Sequence, residues 1–212
     1  MIVLKTCIYN LCEGLVDDVA LEACARFIKD GGLVAFPTET VYGLGCNGFD
    51  EAAVERLYEA KNRPLVKPIS LCVHDLSVAE SVAVFDDRAR MLFKAFMPGP
   101  LTIVLPKRPC VPDIVTAGLD SVGIRVPSNP IALKLSKLSG VPIALPSANL
   151  SGQGALTDGN EVVSVFDGKI DAVINAGRTE KGMESTIVSL VGEPRIIRCG
   201  AISEETLEPY LK

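Results

Sequence analysis

Short apolar runs alternate with amphipathic stretches along the chain, which has 212 residues. Short apolar runs that end at polar or glycine-containing turns are typical of buried strands. They predict strands at residues 2–5, 33–36, 69–73, 101–105, 122–126, 141–145, 172–175, 186–190 and 195–198. Because these runs alternate with helical patterns early in the chain, the sequence predicts an α/β fold with a twisted mixed sheet flanked by helices.

Amphipathic stretches predict the helices, and most of them begin with a residue that can cap a helix. Apolar side chains recur every three or four residues after Asp17. Asp50 and Asn129 stand where a side-chain oxygen can accept from free backbone amides, and Pro130 suits a first helical position. The predicted helices cover residues 17–29, 50–60, 86–96 and 129–140, and a last one starts at Ser203.

The composition narrows the class of protein. Hydrophobic residues make up 48% and charged residues 22%, which fits one folded domain over residues 1–212. The net charge of -5 argues against a surface that is basic all over, but it is compatible with a local basic cleft. Because no apolar run reaches the roughly 18 residues of a membrane span and the N-terminus lacks the layout of a signal peptide, we expect a cytoplasmic protein with no membrane partner.

The seven cysteines give no metal-binding pattern. None belongs to a Cys-x-x-Cys pair, and the odd number argues against a disulfide framework. We therefore expect no zinc site and free thiols in a reducing compartment. His74 is the only histidine and is interpreted as structural. The sequence also lacks a Gly-x-Ser-x-Gly elbow, a Walker loop and a Gly-x-Gly-x-x-Gly fingerprint, which argues against those modes of hydrolysis and nucleotide binding.

Two polar segments follow apolar runs, and together they predict one anion-binding site. The first covers residues 37–45 and continues through the basic stretch 61–68, and the second covers residues 146–152. Residues just past strand ends are where open α/β sheets bind ligands. Cations, hydroxyls and backbone amides freed by glycine are the groups that bind phosphates.

The cationic candidates also have ordinary structural interpretations. Lys61, Arg63 and Lys67 can form a basic surface loop, and charge alone does not decide between that and a phosphate site. Arg125 and Arg198 each lie in an apolar run, and a buried arginine needs a partner. A salt bridge satisfies that need as well as a phosphate does.

The neutral and acidic candidates also have ordinary structural interpretations. Ser147 and Asn149 can serve ordinary turn chemistry, and Thr38 and Thr40 can cap a turn after the preceding strand. Glu39 can be a metal ligand, a base or a salt-bridge partner. From these residues alone the alternatives stay open.

Taken together, the motifs resemble the YrdC family of threonylcarbamoyl-AMP synthases. The family's signature is Lys-x-Arg followed far downstream by Ser-x-Asn, present here as Lys61-Asn62-Arg63 and Ser147-Ala148-Asn149. Residues 37–45 match the family's N-terminal motif almost letter for letter. Further matches lie at residues 98–102, 124–127 and 184–188. The likeness covers about residues 24–202, nearly the whole chain.

The resemblance implies a twisted α/β sheet with a concave, positively lined cavity. The reaction would join L-threonine, bicarbonate and ATP into threonylcarbamoyl-AMP and pyrophosphate, with Mg²⁺ bridging the phosphates. A downstream transfer complex would then move the threonylcarbamoyl group onto an adenosine of tRNA, and weak binding of tRNA or double-stranded RNA is a further expectation. The chain would resemble the short, single-domain members of the family.

The resemblance also implies roles for individual residues. Catalytic roles go to Lys61 and Arg63. The implied ATP-binding residues are Lys61, Arg63, Lys67, Ser147, Asn149 and Arg198. The implied threonine-binding residues are Thr38, Thr40, Arg125 and Ser185. No side chain is assigned as a metal ligand.

Three positions depart from the family's pattern. Cys72 lies near where many members have a polar residue, often histidine, that faces the threonine. Lys67 stands where others often have asparagine, and Cys199 where they often have proline. These departures concern side-chain detail and leave the implied reaction unchanged.

Two other functions compete with the synthase interpretation. A double-stranded RNA or tRNA-binding module could use the same basic cleft, and its RNA affinity would fall with salt. The acidic net charge and the aromatic content of 5% weigh against it. A YrdC-like domain that uses carbamoyl phosphate is the second alternative, but such domains sit beside zinc-finger and acylphosphatase parts that this sequence lacks.

The loop at residues 152–159 is rich in Gly, Ser and Thr, and we interpret it as a candidate flap. Its small side chains can bury little apolar area, so its closed state should be only marginally stable without ligand. We expect it to order over the cavity when ATP and threonine are both bound, since an unstable carbamate and a mixed anhydride need protection from water.

Overall fold

The structure is a computed structural model that describes residues 5–11 and 16–212. The strands in these residues are β1 (Cys7–Asn10), β2 (Val34–Pro37), β3 (Tyr42–Asn47), β4 (Leu71–Cys72), β5 (Leu101–Pro106), β6 (Ser121–Arg125), β7 (Ile143–Ala144), β8 (Ala172–Asn175), β9 (Thr186–Ser189) and β10 (Arg195–Arg198). The helices are α1 (Asp18–Lys29), α2 (Glu51–Ala60), α3 (Leu76–Val82), α4 (Asp87–Phe96), α5 (Asp113–Thr116), α6 (Pro130–Ser139), α7 (Gly159–Phe166) and α8 (Glu204–Leu211). The predicted mixed α/β fold is confirmed.

The strands form one sheet in the order β1-β8-β2-β3-β7-β4-β6-β5-β9-β10. Four neighbouring pairs are parallel: β1 with β8, β8 with β2, β4 with β6, and β5 with β9. The other neighbouring pairs are antiparallel. Because parallel neighbours need long crossover connections, segments far apart in the sequence end side by side.

The sheet separates two hydrophobic clusters. Alternate residues of β2 belong to different clusters, since Val34 and Phe36 pack with α1 and α6, whereas Ala35 packs with α2 and the later helices. This is the alternation that a strand buried on both faces must show. Among the described residues, no helix is both long enough and apolar enough to cross a membrane.

Local capping signals place the helix starts where the sequence predicts them. Asp17 accepts hydrogen bonds from the first amides of α1, and Asp50, Asp86 and Asn129 do the same for α2, α4 and α6. Ser203 accepts from the amide of Thr206 at the start of α8. Each cap satisfies an amide that has no partner within its helix.

Some elements differ from the predictions. The predicted strand at residues 2–5 lies mostly outside the described residues, and β1 begins instead at Cys7. The runs at 69–73 and 141–145 form only the two-residue strands β4 and β7. The unpredicted elements are β1, β3, α3, α5 and α7. β3 escaped prediction because its two glycines gave the segment the composition of a turn, whereas its pairing with β2 and β7 makes it a strand.

Gly43 is a point of close approach between β3 and the segment after β7. A Cβ atom at Gly43 would lie 2.6 Å from Cδ1 of Leu145, and Gly43 forms an isolated bridge with Ser147. Only glycine lets the backbone come this near to the Leu145 side chain.

We therefore expect Gly43→Ala to lower the free energy of unfolding by about 1–3 kcal/mol, because the added methyl group overpacks a filled space. Urea unfolding measures the change. Gly154→Ala is the matched control, since a Cβ atom at Gly154 would meet nothing within 4 Å. Equal stability of the two variants would contradict the packing argument.

Candidate functional site

Strand residues and the loops next to them surround a cavity of about 170 Å³. Its wall combines the connection between β2 and β3, the loop after α2, the ends of β6 and β10, the segment after β7 and the residues before β9. The residues predicted for the site that line it are Thr38, Arg63, Arg125, Ser147, Ser185 and Arg198. The remaining predicted residues do not line it, namely Thr40, Lys61, Lys67 and Asn149.

Arg125 lies at the end of β6 and is fixed by a buried carboxylate. Its Nη2 donates to Oε1 of Glu39 at 2.8 Å and to Oγ1 of Thr40 at 2.9 Å, and its Nε donates to the carbonyl oxygen of Gly99 at 3.3 Å. Glu39 is 2% exposed, and its Oε2 accepts from the amide of Ser128 at 3.1 Å. Of the three roles left open for Glu39, the structure shows the salt bridge. No described residue accepts from Nη1 of Arg125, so this nitrogen remains free for a ligand.

Two hydroxyls, those of Thr40 and Thr38, form a hydrogen-bonded chain that starts at Arg125. Oγ1 of Thr38 donates to the carbonyl of Val41 at 2.7 Å and lies 2.8 Å from Oγ1 of Thr40. Because the proton of Thr38 is used on Val41, Thr40 donates to Thr38 and accepts from Arg125. Thr40 is fully buried and supports the arginine from behind, whereas Thr38 lines the cavity.

Lys61 follows α2 and lies behind the cavity wall. It is 1% exposed, and its ammonium donates to the backbone carbonyls of Ser147 and Asn149. Burial and, to a smaller extent, the charge of Arg63 lower the pKa of Lys61 to about 7, while Glu184 opposes this change. The side chain thus connects the two signature segments, and its predicted contact with phosphate stays a prediction.

The second signature segment forms a closed turn. Oγ of Ser147 donates to Oδ1 of Asn149 at 2.6 Å. Nδ2 of Asn149 donates to the carbonyls of Gln153 at 2.7 Å and Leu150 at 3.0 Å. The side-chain amide of Asn149 is therefore used in hydrogen bonds within the turn. Of the two residues, Ser147 is the one that lines the cavity.

Arg63 enters the cavity wall from the loop after α2. Its Nε donates to the carbonyl of Lys67 at 3.2 Å and its Nη2 to that of Pro68 at 2.9 Å. Burial lowers the pKa of Arg63, while Tyr58 and Glu184 raise it. The side chain of Lys67 points to solvent instead, and this residue contributes its carbonyl rather than its charge to the geometry.

Arg198 ends β10 beside the residues that precede β9. Its Nη2 donates to the carbonyl and the Oγ of Ser185 at 2.9 and 3.2 Å, and its Nη1 donates to Oε1 of Glu184 at 2.9 Å. Oγ of Ser185 also lies 3.0 Å from Oγ1 of Thr102. The two hydroxyls form a buried polar pair on the cavity wall.

Thr102, Glu184 and Cys72 line the cavity but were not predicted as site residues. Thr102 and Glu184 lie within the matched motifs at 98–102 and 184–188, which was the available signal. Cys72 is one of the three positions that depart from the family's pattern. Burial raises the pKa of the Cys72 thiol to about 12, so it is protonated near neutral pH and is a poor nucleophile.

The described residues contain no group of three or more His, Cys, Asp or Glu side chains that could bind a metal ion. Among the described residues, Glu184 is the one carboxylate that lines the cavity, and it is paired with Arg198. Mg²⁺ prefers several oxygen ligands and usually keeps part of its water shell. This lining does not fit a resident Mg²⁺. The six described cysteines are free thiols, and Cys12 lies outside the described residues.

Hydrogen bonds attach the candidate flap to neighbouring segments at Gln153, which accepts from Asn149, and at two residues of its C-terminal half. The carbonyl of Leu156 accepts from the amide of Tyr42 at 2.9 Å, and that of Thr157 accepts from the amide of Thr179 at 2.8 Å. Gly159 already begins α7, and none of residues 152–159 lines the cavity. The predicted closure of residues 152–159 therefore stays a prediction.

Comparisons with known proteins find similar sequences over most of the chain. The model of the Sua5/YciO/YrdC family, described as "Telomere recombination", matches residues 26–200. The threonylcarbamoyl-AMP synthase of Pyrococcus abyssi is 45% identical over 208 residues, which cover 97% of this chain and 61% of the relative. The threonylcarbamoyl-AMP synthase of Bacillus subtilis is 42% identical over 201 residues, which cover 92% of this chain and 57% of the relative. The chain thus spans about three fifths of the length of these relatives.

A solved structure gives the same result. The crystal structure of P. abyssi Sua5 complexed with L-threonine is similar to this chain with a TM-score of 0.94 and 45% identity, covering 97% of this chain and 61% of that one. The family model matches far more than half of the residues, and the two relatives exceed 40% identity over most of the chain. The chain therefore belongs to the Sua5/YciO/YrdC family.

Proposed function

We propose that this chain is an L-threonylcarbamoyladenylate synthase, which makes threonylcarbamoyl-AMP and pyrophosphate from L-threonine, bicarbonate and ATP. The observation that best supports this function is the placement of Arg63, Arg125 and Arg198 on the walls of one cavity. An amino acid carboxylate and a triphosphate are both anions, and a site that joins them needs cations on more than one wall. The similarity to a Sua5 protein complexed with L-threonine supports the same function.

The amino acid would bind between Arg125 and the buried hydroxyls. Nη1 of Arg125 is free among the described residues, while Glu39 and Thr40 fix the rest of the guanidinium. A carboxylate can therefore bind without the side chain reorienting. Thr38 and Ser185 lie on the same cavity and can bond the amino and hydroxyl groups of threonine.

ATP would bind on the side formed by Arg63, Arg198 and Ser147. The two guanidinium groups neutralise phosphate charge, and the hydroxyl oxygen of Ser147, whose proton is donated to Asn149, can accept a hydrogen bond from the nucleotide. Mg²⁺ would come with ATP, because the cavity lacks a carboxylate cluster among the described residues. Lys61 supports this wall from behind through the carbonyls of Ser147 and Asn149. Lys67 could reach the phosphates only by a movement of its exposed side chain.

The chemistry then needs positioning more than a strong base. The threonine amine adds to bicarbonate with loss of water and gives a carbamate. A carbamate oxygen attacks the α-phosphorus of ATP, the bond from that phosphorus to the bridging oxygen breaks, and pyrophosphate leaves. This makes the enzyme a nucleotidyltransferase. Fixed cations that neutralise the charge developing on the phosphates can supply much of the rate enhancement.

We further propose that residues 1–212 act as one YrdC-like domain in the cytoplasm. One sheet containing strands from β1 to β10 supports the single domain. The product would pass to a downstream tRNA threonylcarbamoyl transfer complex. Because no aromatic side chain of the described residues lines the cavity, a base-stacking platform for RNA has no support there.

The direct test is release of pyrophosphate from ATP with Mg²⁺, with chromatography of the products made from labelled threonine. We expect release to require both L-threonine and bicarbonate, and a labelled threonylcarbamoyl-AMP to appear. Release at an equal rate without threonine would refute the proposed reaction.

Binding of ATP should also change the protonation of Lys61. With a pKa of about 7, Lys61 is mostly neutral in the free protein at pH 8. Nearby phosphates favour the ammonium form and raise this pKa, so binding at pH 8 should be accompanied by proton uptake, and binding at pH 6 by much less. Calorimetry in buffers that differ in ionisation enthalpy measures the uptake.

Two variants test whether Lys61 is the residue that takes up the proton. Lys61→Met should abolish the uptake at pH 8. Lys67→Met removes the same charge from an exposed position and should retain it. Wild-type binding without proton uptake at pH 8 would show that Lys61 does not sense the phosphates.

A further inference from the structure

Glu184 stands out because it places a negative charge on the cavity wall that we propose binds phosphate. Its Oε1 accepts from Nη1 of Arg198 at 2.9 Å, and the Glu184 and Arg198 side chains are 39% and 37% exposed. The remaining contacts of Arg198 go to Ser185, which leaves a single N–H of its guanidinium unused by the described residues. In this state the carboxylate occupies the position on Arg198 that an anionic ligand would take.

Other cations lie near the same carboxylate. Glu184 raises the pKa of Lys61 and of Arg63 against the effect of burial, which places it within electrostatic reach of both. Its backbone is also fixed, since its carbonyl accepts from the amide of Ala201 at 3.0 Å. Release of the carboxylate from Arg198 therefore needs only side-chain rotation.

We propose that Glu184 is a built-in counter-ion of the phosphate site, which pairs with Arg198 in the free protein and is displaced by the phosphates of the nucleotide. This inference rests on the proposed function, because it takes Arg198 as a phosphate-binding residue. A carboxylate in this place lowers the affinity for every phosphate ligand through competition and like-charge repulsion. It thereby reduces occupation of the site by stray phosphates and favours release of pyrophosphate.

The test measures binding to wild type and to Glu184→Gln by calorimetry, with ATP plus Mg²⁺, pyrophosphate and adenosine as separate probes. We expect Glu184→Gln to bind ATP and pyrophosphate about fivefold more tightly, the change that corresponds to one partly exposed charge pair. Adenosine carries no phosphate, so its affinity should not change. A gain in affinity cannot come from misfolding.

Glu180→Gln is the matched control. It removes the same charge from the same loop, but Glu180 pairs with Lys181 at 3.8 Å and does not line the cavity. Its ATP and pyrophosphate affinities should equal those of wild type. If Glu184→Gln binds ATP or pyrophosphate no more tightly than wild type, or if Glu180→Gln gains as much, the inference is overturned.

This outcome is separate from a failure of the proposed function. If wild type forms no labelled threonylcarbamoyl-AMP, the synthase activity fails whatever Glu184 does. If wild type is active and Glu184→Gln binds ATP more weakly, Glu184 contacts the nucleotide or its metal ion favourably, and the counter-ion role fails alone.

Discussion

Arg63→Ala should reduce the rate of threonylcarbamoyl-AMP formation by about a hundredfold to a thousandfold, the usual loss when one fixed charge-stabilising group is removed from an active site. Arg63 is half-buried on the cavity wall, and two backbone carbonyls fix its guanidinium, so water cannot easily replace it. The measurement is pyrophosphate release under saturating threonine and bicarbonate.

Arg195→Ala is the control for this prediction. Arg195 is exposed on β10, donates to the carbonyls of Val191 and Glu193, and lies outside the cavity. We expect its rate to stay close to that of wild type, and circular dichroism should show both variants folded. A near-normal rate for Arg63→Ala would remove this residue from the phosphate site.

Arg125→Ala should both destabilise the protein and abolish threonine binding. The substitution leaves the carboxylate of Glu39 buried without its cation, and breaking a buried ion pair in this way typically costs about 3–5 kcal/mol. Threonine loses the proposed partner of its carboxylate at the same time. Urea unfolding and calorimetry measure the two effects separately.

The double variant Arg125→Met/Glu39→Gln separates stability from binding. It removes both charges, so we expect it to recover much of the stability lost in Arg125→Ala. Threonine binding should stay lost, whereas ATP binding should be largely retained. If the double variant binds threonine normally, or if it loses ATP binding instead, Arg125 belongs to another part of the site.

Local signals made much of the fold predictable. Asp17, Asp50 and Asn129 each act on amides two or three residues away, so a short stretch of sequence contains the whole interaction. β3 could not be recognised in this way, because it is a strand only through its pairing with β2 and β7, whose positions the local sequence does not reveal.

In the candidate site, too, some features could be predicted from short stretches of sequence and others could not. The resemblance identified the motifs, and most of the predicted residues line one cavity. The orientation of Lys61 toward two carbonyls, more than 80 residues away in the sequence, could not be predicted. Nor could the salt bridge from Arg125 to Glu39, since the sequence left a phosphate as an equal alternative partner. Contacts between distant segments depend on strand order, which no single motif encodes.

The position of β10 at the end of the sheet has a consequence for the dynamics of the site. Among the described strands β10 pairs only with β9, and it carries Arg198 against Ser185. Segments that few contacts hold in place open locally at a lower free energy than core strands. Nucleotide that binds only the closed edge would stabilise it by mass action. Amide hydrogen exchange in β9 and β10 would therefore slow when ATP binds, even if no residue changes position.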